Sequence, residues 1–493
     1  MKNIISFPSF IIFISIQIFS CRERTPVLID QLASDPSYLF SIDFSNYQGD
    51  ISHYPIGVFD SGLGGLTVLS EILTLDEFNN QTYAHTADGI PDFANERFVY
   101  LGDKANMPYG NYSAEGKVDF LRELIVKDAL FLLGTRHWKS ADTSAPAFDK
   151  PPVKAIVIAC NTATSYGLND VLKAVKSWEL PVYVIGVVNA GAKGAVNALN
   201  GKDAAVAVMA TVGTCASRGY VRALVNESKK SGMKPPAIIQ QGCLGIAGAV
   251  ENDPTYIIPE TADSATSHAY RGPAAGNPQA PVDTTLFSRY GFDEEGLLNT
   301  EDGYQSVRLN SVNNYIRYHA LSLVEKFRAS GESRPIETVI LGCTHFPFYT
   351  EHFAAAFSRL YHLQNDNGIS IYSDLLSENI EFIDPAHLTA EQLYIALHDE
   401  HILLDDIRNS VIDSDQFYIS VPNSQAEGIE LTTTGDFTYD YKYGRNQGNL
   451  QTEYVKRIPL NTDMMDQTTT DLIRENLPTV WERISAFHNS NIN

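Results

Sequence analysis

Seven short apolar runs, each leading into a polar or glycine-bearing turn, most constrain what this chain can fold into. Pro55-Ile-Gly-Val-Phe59 runs into Asp60-Ser61-Gly62-Leu63-Gly64-Gly65, and a helical pattern follows from Leu66 to about Leu75. Arg97 to Leu101 ends at Gly102-Asp103, and Val153 to Ala159 ends at Cys160-Asn161-Thr162. Val182 to Gly186 is a fourth run, and Ala204 to Ala210 ends at Thr211. Ala237 to Gln241 leads to Cys243, and Glu337 to Leu341 leads to Gly342-Cys343-Thr344-His345. Continuous apolar strands that alternate with helical stretches predict parallel sheets covered on both faces. In such folds ligands bind beyond the carboxyl ends of the strands, where nearly all of these polar motifs fall.

A weak internal repeat refines the architecture. Ala155-Ile-Val-Ile-Ala-Cys160 aligns with Thr338-Val-Ile-Leu-Gly-Cys343, and a tyrosine follows six residues later in both, at Tyr166 and Tyr349. The repeat predicts two pseudo-symmetric, flavodoxin-like α/β/α domains with parallel sheets, each presenting one thiol to an interdomain cleft. Residues 55–186 with 384–425 would make the first domain and 187–383 the second, with an insert over 252–303. Residues 426–493 would form a polar C-terminal extension with a late helix near Asp471 to Phe487.

Composition narrows the partners. The 493 residues carry a formal net charge of −23, which argues against a nucleic-acid surface. An anionic small molecule would have to be held by local dipoles and backbone N–H groups. The apolar segment Ile4 to Phe19, broken by Pro8 and Gln17, is shorter than the ~20 residues of a membrane-spanning helix. It ends Ser20-Cys21, similar to a bacterial lipoprotein cleavage site, so residues 1–21 are expected to be a signal peptide. Cys21 would carry lipid, residues 22–54 would tether the protein to a membrane, and the protein would be exported. Of five cysteines, Cys160, Cys215, Cys243 and Cys343 then remain, and neither a C-x-x-C pair nor a His-rich cluster suggests a metal site. In an oxidising compartment two disulfides are the plain alternative.

Two strand-end thiols suit one chemistry in particular. Inverting a tetrahedral carbon means removing a proton from one face and returning one to the other, which a base on each side of a cleft can do. Thiols with ordinary pKa near 8.5 can be tuned for this by neighbours. His345 lies beside Cys343, and Asp60 belongs to the half that carries Cys160. No lysine sits in an obvious Schiff-base setting, and Gly62-x-Gly64-Gly65 lacks the third glycine of a dinucleotide fingerprint, so no cofactor is implied.

The motifs resemble those of the glutamate racemases, within the aspartate/glutamate racemase family. The resemblance rests on Asp60-Ser-Gly-Leu-Gly-Gly-Leu-Thr67, Leu101 to Gly110, Ala159-Cys160-Asn-Thr-Ala163, Ala210 to Tyr220, and Gly342-Cys-Thr-His-Phe-Pro347, in that order. It implies Cys160 and Cys343 as proton donor/acceptor thiols assisted by Asp60 and His345. It implies Asp60, Ser61, Tyr109, Gly110, Asn161, Thr162, Thr344 and His345 as the amino-acid site. It further implies a cofactor-independent isomerase, usually dimeric and cytoplasmic, supplying D-glutamate for peptidoglycan. The apparent export signal and the greater length depart from that pattern. They keep open another substrate, such as aspartate, or a non-catalytic surface lipoprotein on a racemase scaffold.

Overall fold

A computed structural model describes residues 29, 31, 40–259 and 269–492. The signal-peptide reading and the lipid-bearing Cys21 lie outside the described residues.

Among the described residues, twelve strands form two main sheets and one small ladder. In the first sheet β1 (Ile56–Asp60), β2 (Phe98–Gly102), β3 (Ala155–Ile158) and β4 (Tyr183–Gly186) are parallel. The second contains β5 (Ala205–Ala210) and β6 (Ala237–Gly242), followed, after the ladder of β7 (Leu297–Leu298) and β8 (Arg308–Leu309), by β9 (Ile336–Gly342) and β10 (Leu376–Ile383). Two late strands, β11 (Gln416–Pro422) and β12 (Val455–Pro459), return to the first sheet. The sheet orders are β12-β11-β2-β1-β3-β4 and β10-β9-β5-β6. Every pairing in the second sheet is parallel. The chain is therefore α/β with two sheet domains, as the apolar runs predict.

Burial explains why the central strands are continuous apolar runs. Every residue of β1, β2, β3 and β5 is buried, so neither face can be polar. β6, at a sheet edge, is half-buried throughout and tolerates Gln240 and Gln241. Helices Val118–Leu133 and Asn161–Ser177 pack together over the first sheet, while Leu66–Thr74 packs against both Pro385–Asp399 and Pro478–Ile492. The second core lies around helices Val312–Ala329 and Thr350–Tyr361.

Three segments are more integrated than the sequence suggests. The C-terminal extension is not a detached tail: β12 pairs antiparallel with β11, setting Arg457 opposite Ser420. Its buried cations find partners within the fold, Lys456 Nζ donating to the Ala141 and Thr143 carbonyls at 2.7 and 2.8 Å and Arg457 Nη2 lying 2.8 Å from Asp128 Oδ1, although Arg457 Nε has no hydrogen-bond partner. The late helix is two, Gln467–Asn476 and Pro478–Ile492, broken where Pro478 lacks an N–H and disfavours helical backbone at Leu477. The end of the expected tether also packs: Ile42, Tyr47 and Ile51 are buried, and the Tyr47 hydroxyl donates to the Leu133 carbonyl at 2.9 Å. The insert over 252–303 sends Tyr256, Val282 and Tyr290 into the second core.

Candidate active site

The turn after β1 meets the turn after β9. Asp60 is fully buried, and its Oδ2 accepts from the Gly62 N–H at 3.0 Å. Its Oδ1 accepts from Thr344 Oγ1, 3.3 Å away in the other domain. Gly64 has no room for a side chain, because a Cβ there would lie 2.7 Å from the His345 ring and from Thr344 Oγ1. The Thr67 hydroxyl, 2.9 Å from the Gly64 carbonyl and 3.3 Å from the Thr344 carbonyl, spans the same seam.

Each domain delivers one cysteine to this seam. Cys160 follows β3 and caps helix Asn161–Ser177, its Sγ accepting from the Ala163 N–H at 3.4 Å. The same sulfur lies 3.7 Å from Ser61 Oγ. Burial pushes the Cys160 thiol up strongly and the Asp60 charge adds to it, opposed by the Ala163 N–H and Ser61. Cys343 follows β9 and is buried, with its Sγ 3.7 Å from His345 Nδ1. The described cysteines are all free thiols, so the two-disulfide alternative is not formed.

Behind Cys343 stands a residue that the sequence reading did not single out. Glu251 Oε1 lies 2.8 Å from His345 Nε2 and accepts the Leu63 N–H at 3.1 Å. Burial alone would drive the His345 pKa down, but its contacts with Cys343 and Glu251 outweigh that and raise it well above the ordinary value. Burial likewise pushes Glu251 up, yet its bond to His345 holds it below the usual carboxylate range. Burial raises Asp60, with His345 and the Gly62 and Gly65 N–H groups opposing. The result is a Cys343–His345–Glu251 line in which the imidazole bridges sulfur and carboxylate. Its sequence signal was slight: Glu251 ends the short helix Ile246–Val250 after β6 and directly precedes the insert.

The remaining expected residues divide. Thr162 Oγ1 lies 2.8 Å from Thr211 Oγ1 and 3.0 Å from Thr214 Oγ1, and Asn161 Oδ1 accepts from the Tyr220 hydroxyl. Gly110 abuts Thr211, whose Cβ would stand 2.7 Å from any Cβ added there. Tyr109 joins the same loop, but its side chain is committed elsewhere. Its hydroxyl donates within reach of two buried carboxylates, Asp103 at 2.5 Å and Asp128 at 2.6 Å. Only the Tyr109 backbone is left to face an amino acid. The described residues contain no cluster of His, Cys, Asp and Glu that could hold a metal ion.

Comparison with known proteins agrees with the motif resemblance. A glutamate racemase of Lactobacillus johnsonii is 36% identical over 168 residues, covering 34% of this chain and 47% of that protein. A glutamate racemase of Clostridium novyi is 28% identical over 305 residues, covering 62% of this chain and 76% of that protein. The crystal structure of a glutamate racemase isoform from Bacillus anthracis is 23% identical with a TM-score of 0.43, covering 74% of this chain and 88% of that chain. The chain spans about half the length of the first curated relatives it matches. No protein-family model matches it.

Proposed function

We propose that this chain, whose curated relatives are glutamate racemases, interconverts L- and D-glutamate with two thiols and without a cofactor. The observation that carries the reading is the delivery of Cys160 and Cys343 by different sheets to one buried seam around Asp60. In this mechanism one thiol acts as a thiolate base on Cα while the other returns a proton to the opposite face, and the roles exchange with the hand of the substrate. On the Cys343 side, His345 Nδ1 can pass a proton to or from sulfur while Glu251 fixes the ring orientation and compensates its charge. On the Cys160 side, among the described residues, no imidazole stands by. Ser61 and the helix N-terminus are the polar groups nearest that sulfur, and Asp60 sets the local charge. N–H groups at the helix start after Cys160 and the threonine hydroxyls would hold the substrate carboxylates.

Deuterium exchange at Cα tests this. Incubated in heavy water, the protein should exchange Cα of both L- and D-glutamate. Cys160→Ser and Cys343→Ser should each be impaired unequally toward the two hands. Absence of exchange with either hand in the wild type sinks the proposal.

The same reading extends to location: residues 1–21 direct export, and lipid on Cys21 attaches the protein to a membrane. Cys21→Ala should then shift the protein from the detergent phase to the aqueous phase. Unchanged partitioning would refute it.

A further inference from the structure

A short helix of the C-terminal extension, Tyr439–Gly444, lies against residues 104–111 of the first domain. It grips successive groups of that loop. Lys442 Nζ donates to the Met107 carbonyl at 2.6 Å, and the Tyr443 hydroxyl donates to the Pro108 carbonyl at 3.1 Å. Just past the helix, Arg445 Nη2 donates to Asn106 Oδ1 at 2.6 Å, and the Asn106 amide donates to both Asp103 oxygens at 3.0 and 2.9 Å. The donors are themselves held. The Tyr443 ring meets the Tyr112 ring edge-on at 4.8 Å, and the Arg445 guanidinium lies 4.5 Å from the centre of the Phe437 ring. Burial lowers the Lys442 pKa and Arg445 adds to this, while Asp253, Asp436 and Asp103 favour its charged form. A charged donor makes the stronger hydrogen bond to a carbonyl.

On its other side the same loop touches the catalytic seam at two points. Met107 is buried against the turn that carries Asp60 and Ser61: a Cβ added at Gly62 would stand 2.5 Å from Met107 Sδ and 2.5 Å from Glu251 Oε1. Gly110 packs on Thr211, whose hydroxyl lies 2.8 Å from that of Thr162. Only Tyr109 separates the gripped Pro108 carbonyl from Gly110. Peptide planarity leaves two soft dihedrals per residue, and the Pro108 ring fixes one of them. A displacement at Met107 or Pro108 is therefore carried to both contact points rather than absorbed between them.

We infer that Lys442 and Tyr443 are positioning residues for the reaction. By fixing the Met107 and Pro108 carbonyls, the extension sets Met107 against the Asp60 turn and Gly110 against Thr211, and so sets the width of the substrate site. The inference rests on the proposed racemase activity for what is positioned, whereas the grip on the loop does not.

Kinetics and NMR on the full chain test it together. In Lys442→Met/Tyr443→Phe the KM for both hands of glutamate should rise roughly tenfold, the order of one lost hydrogen bond. A folding defect would lower the active fraction and leave KM where it was. The milder Tyr443→Phe keeps the ring and should raise KM about threefold, so the inference can be judged even if the double variant does not fold. With methyl-13C methionine, the Met107 resonance should move in both variants, and the other methionines should stay in place. If the wild type shows no Cα exchange but the Met107 resonance moves, the racemase reading fails and the grip of the extension on the loop stands. An unmoved Met107 resonance, or a KM within twofold of wild type in an active Tyr443→Phe protein, overturns the inference.

Discussion

His345 Nε2 lies 2.8 Å from Glu251 Oε1, and the same carboxylate oxygen accepts the Leu63 N–H from the other domain. One buried ion pair thus orients the imidazole against Cys343 and fastens the first-domain turn to the second domain. Two charged groups so deep are expensive unless each answers the other.

Glu251→Gln should therefore alter both pH dependence and stability. The His345 pKa is raised above 6.5, so its contribution is fully present below that value and fades as pH rises through the folded-state value. The Glu251 pKa is lowered below 4.5, so its contribution is present above 4.5 and fades as pH falls through the folded-state value. The pair stabilises most between these limits. Urea midpoints across pH should show a wild-type advantage of about 3 kcal/mol near neutrality that shrinks at both extremes. The His345 titration, followed by NMR, should move down in the variant. An unmoved titration would show that Glu251 does not hold the imidazolium.

Cys160 should be a poor nucleophile in the folded protein. Burial and the Asp60 charge both push its thiol up, and alkylation proceeds through the thiolate. Brief iodoacetamide treatment at pH 8, read by peptide mass spectrometry, should leave Cys160 unmodified until the protein is denatured. Asp60→Asn removes the lesser cause and should speed the reaction only modestly, because burial remains. Rapid labelling of Cys160 in the native wild type would contradict this.

Gly64→Ala probes the seam itself. Gly64 does not have the positive φ that would favour glycine, so the backbone accepts alanine, but the new Cβ would stand 2.7 Å from the His345 ring and Thr344 Oγ1. The two turns must separate by a fraction of an ångström or more. Misplacement of about 1 Å can cost ~100-fold in rate, so Cα exchange should fall by roughly that factor while the circular dichroism stays unchanged. Full activity would mean that the seam is not the reacting site.

How much of this was legible in the sequence follows from burial. β1, β2, β3 and β5 are buried on both faces, so their apolar runs stand out, and the cysteines at the ends of β3 and β9 could be read directly. β10 and β12 could not. Leu376-Ser-Glu-Asn-Ile-Glu-Phe-Ile383 is an edge strand with mostly polar exposure, and Val455-Lys-Arg-Ile-Pro459 hides its cations by pairing them with groups far along the chain. Glu251 was missed for a related reason: its partners, Leu63 and His345, are 188 and 94 residues away. Tyr109 was expected as a site residue, but sequence could not show that its hydroxyl belongs to Asp103 and Asp128.

That last cluster supports a prediction about the C-terminal extension. Asp128 is fully buried, and burial, with Asp103 adding, raises its pKa to about 7 even though Arg457 opposes the shift. A carboxyl with a raised folded-state pKa stabilises below the unfolded value of 3.8, and that contribution is lost as pH rises toward about 7. Arg457 limits the loss by pairing with the charged form at 2.8 Å. Arg457→Met should leave an uncompensated buried carboxylate, so the variant should be destabilised by about 3 kcal/mol at pH 8 and much less at pH 5. Asp128→Asn should flatten the wild-type decline between those pH values, and adding it to Arg457→Met should restore part of the loss at pH 8. Denaturant midpoints of the four proteins at the two pH values decide the matter. If Arg457→Met is equally destabilising at both, its role is packing of β12, and the carboxylate pair beneath Tyr109 does not depend on the extension for its charge balance.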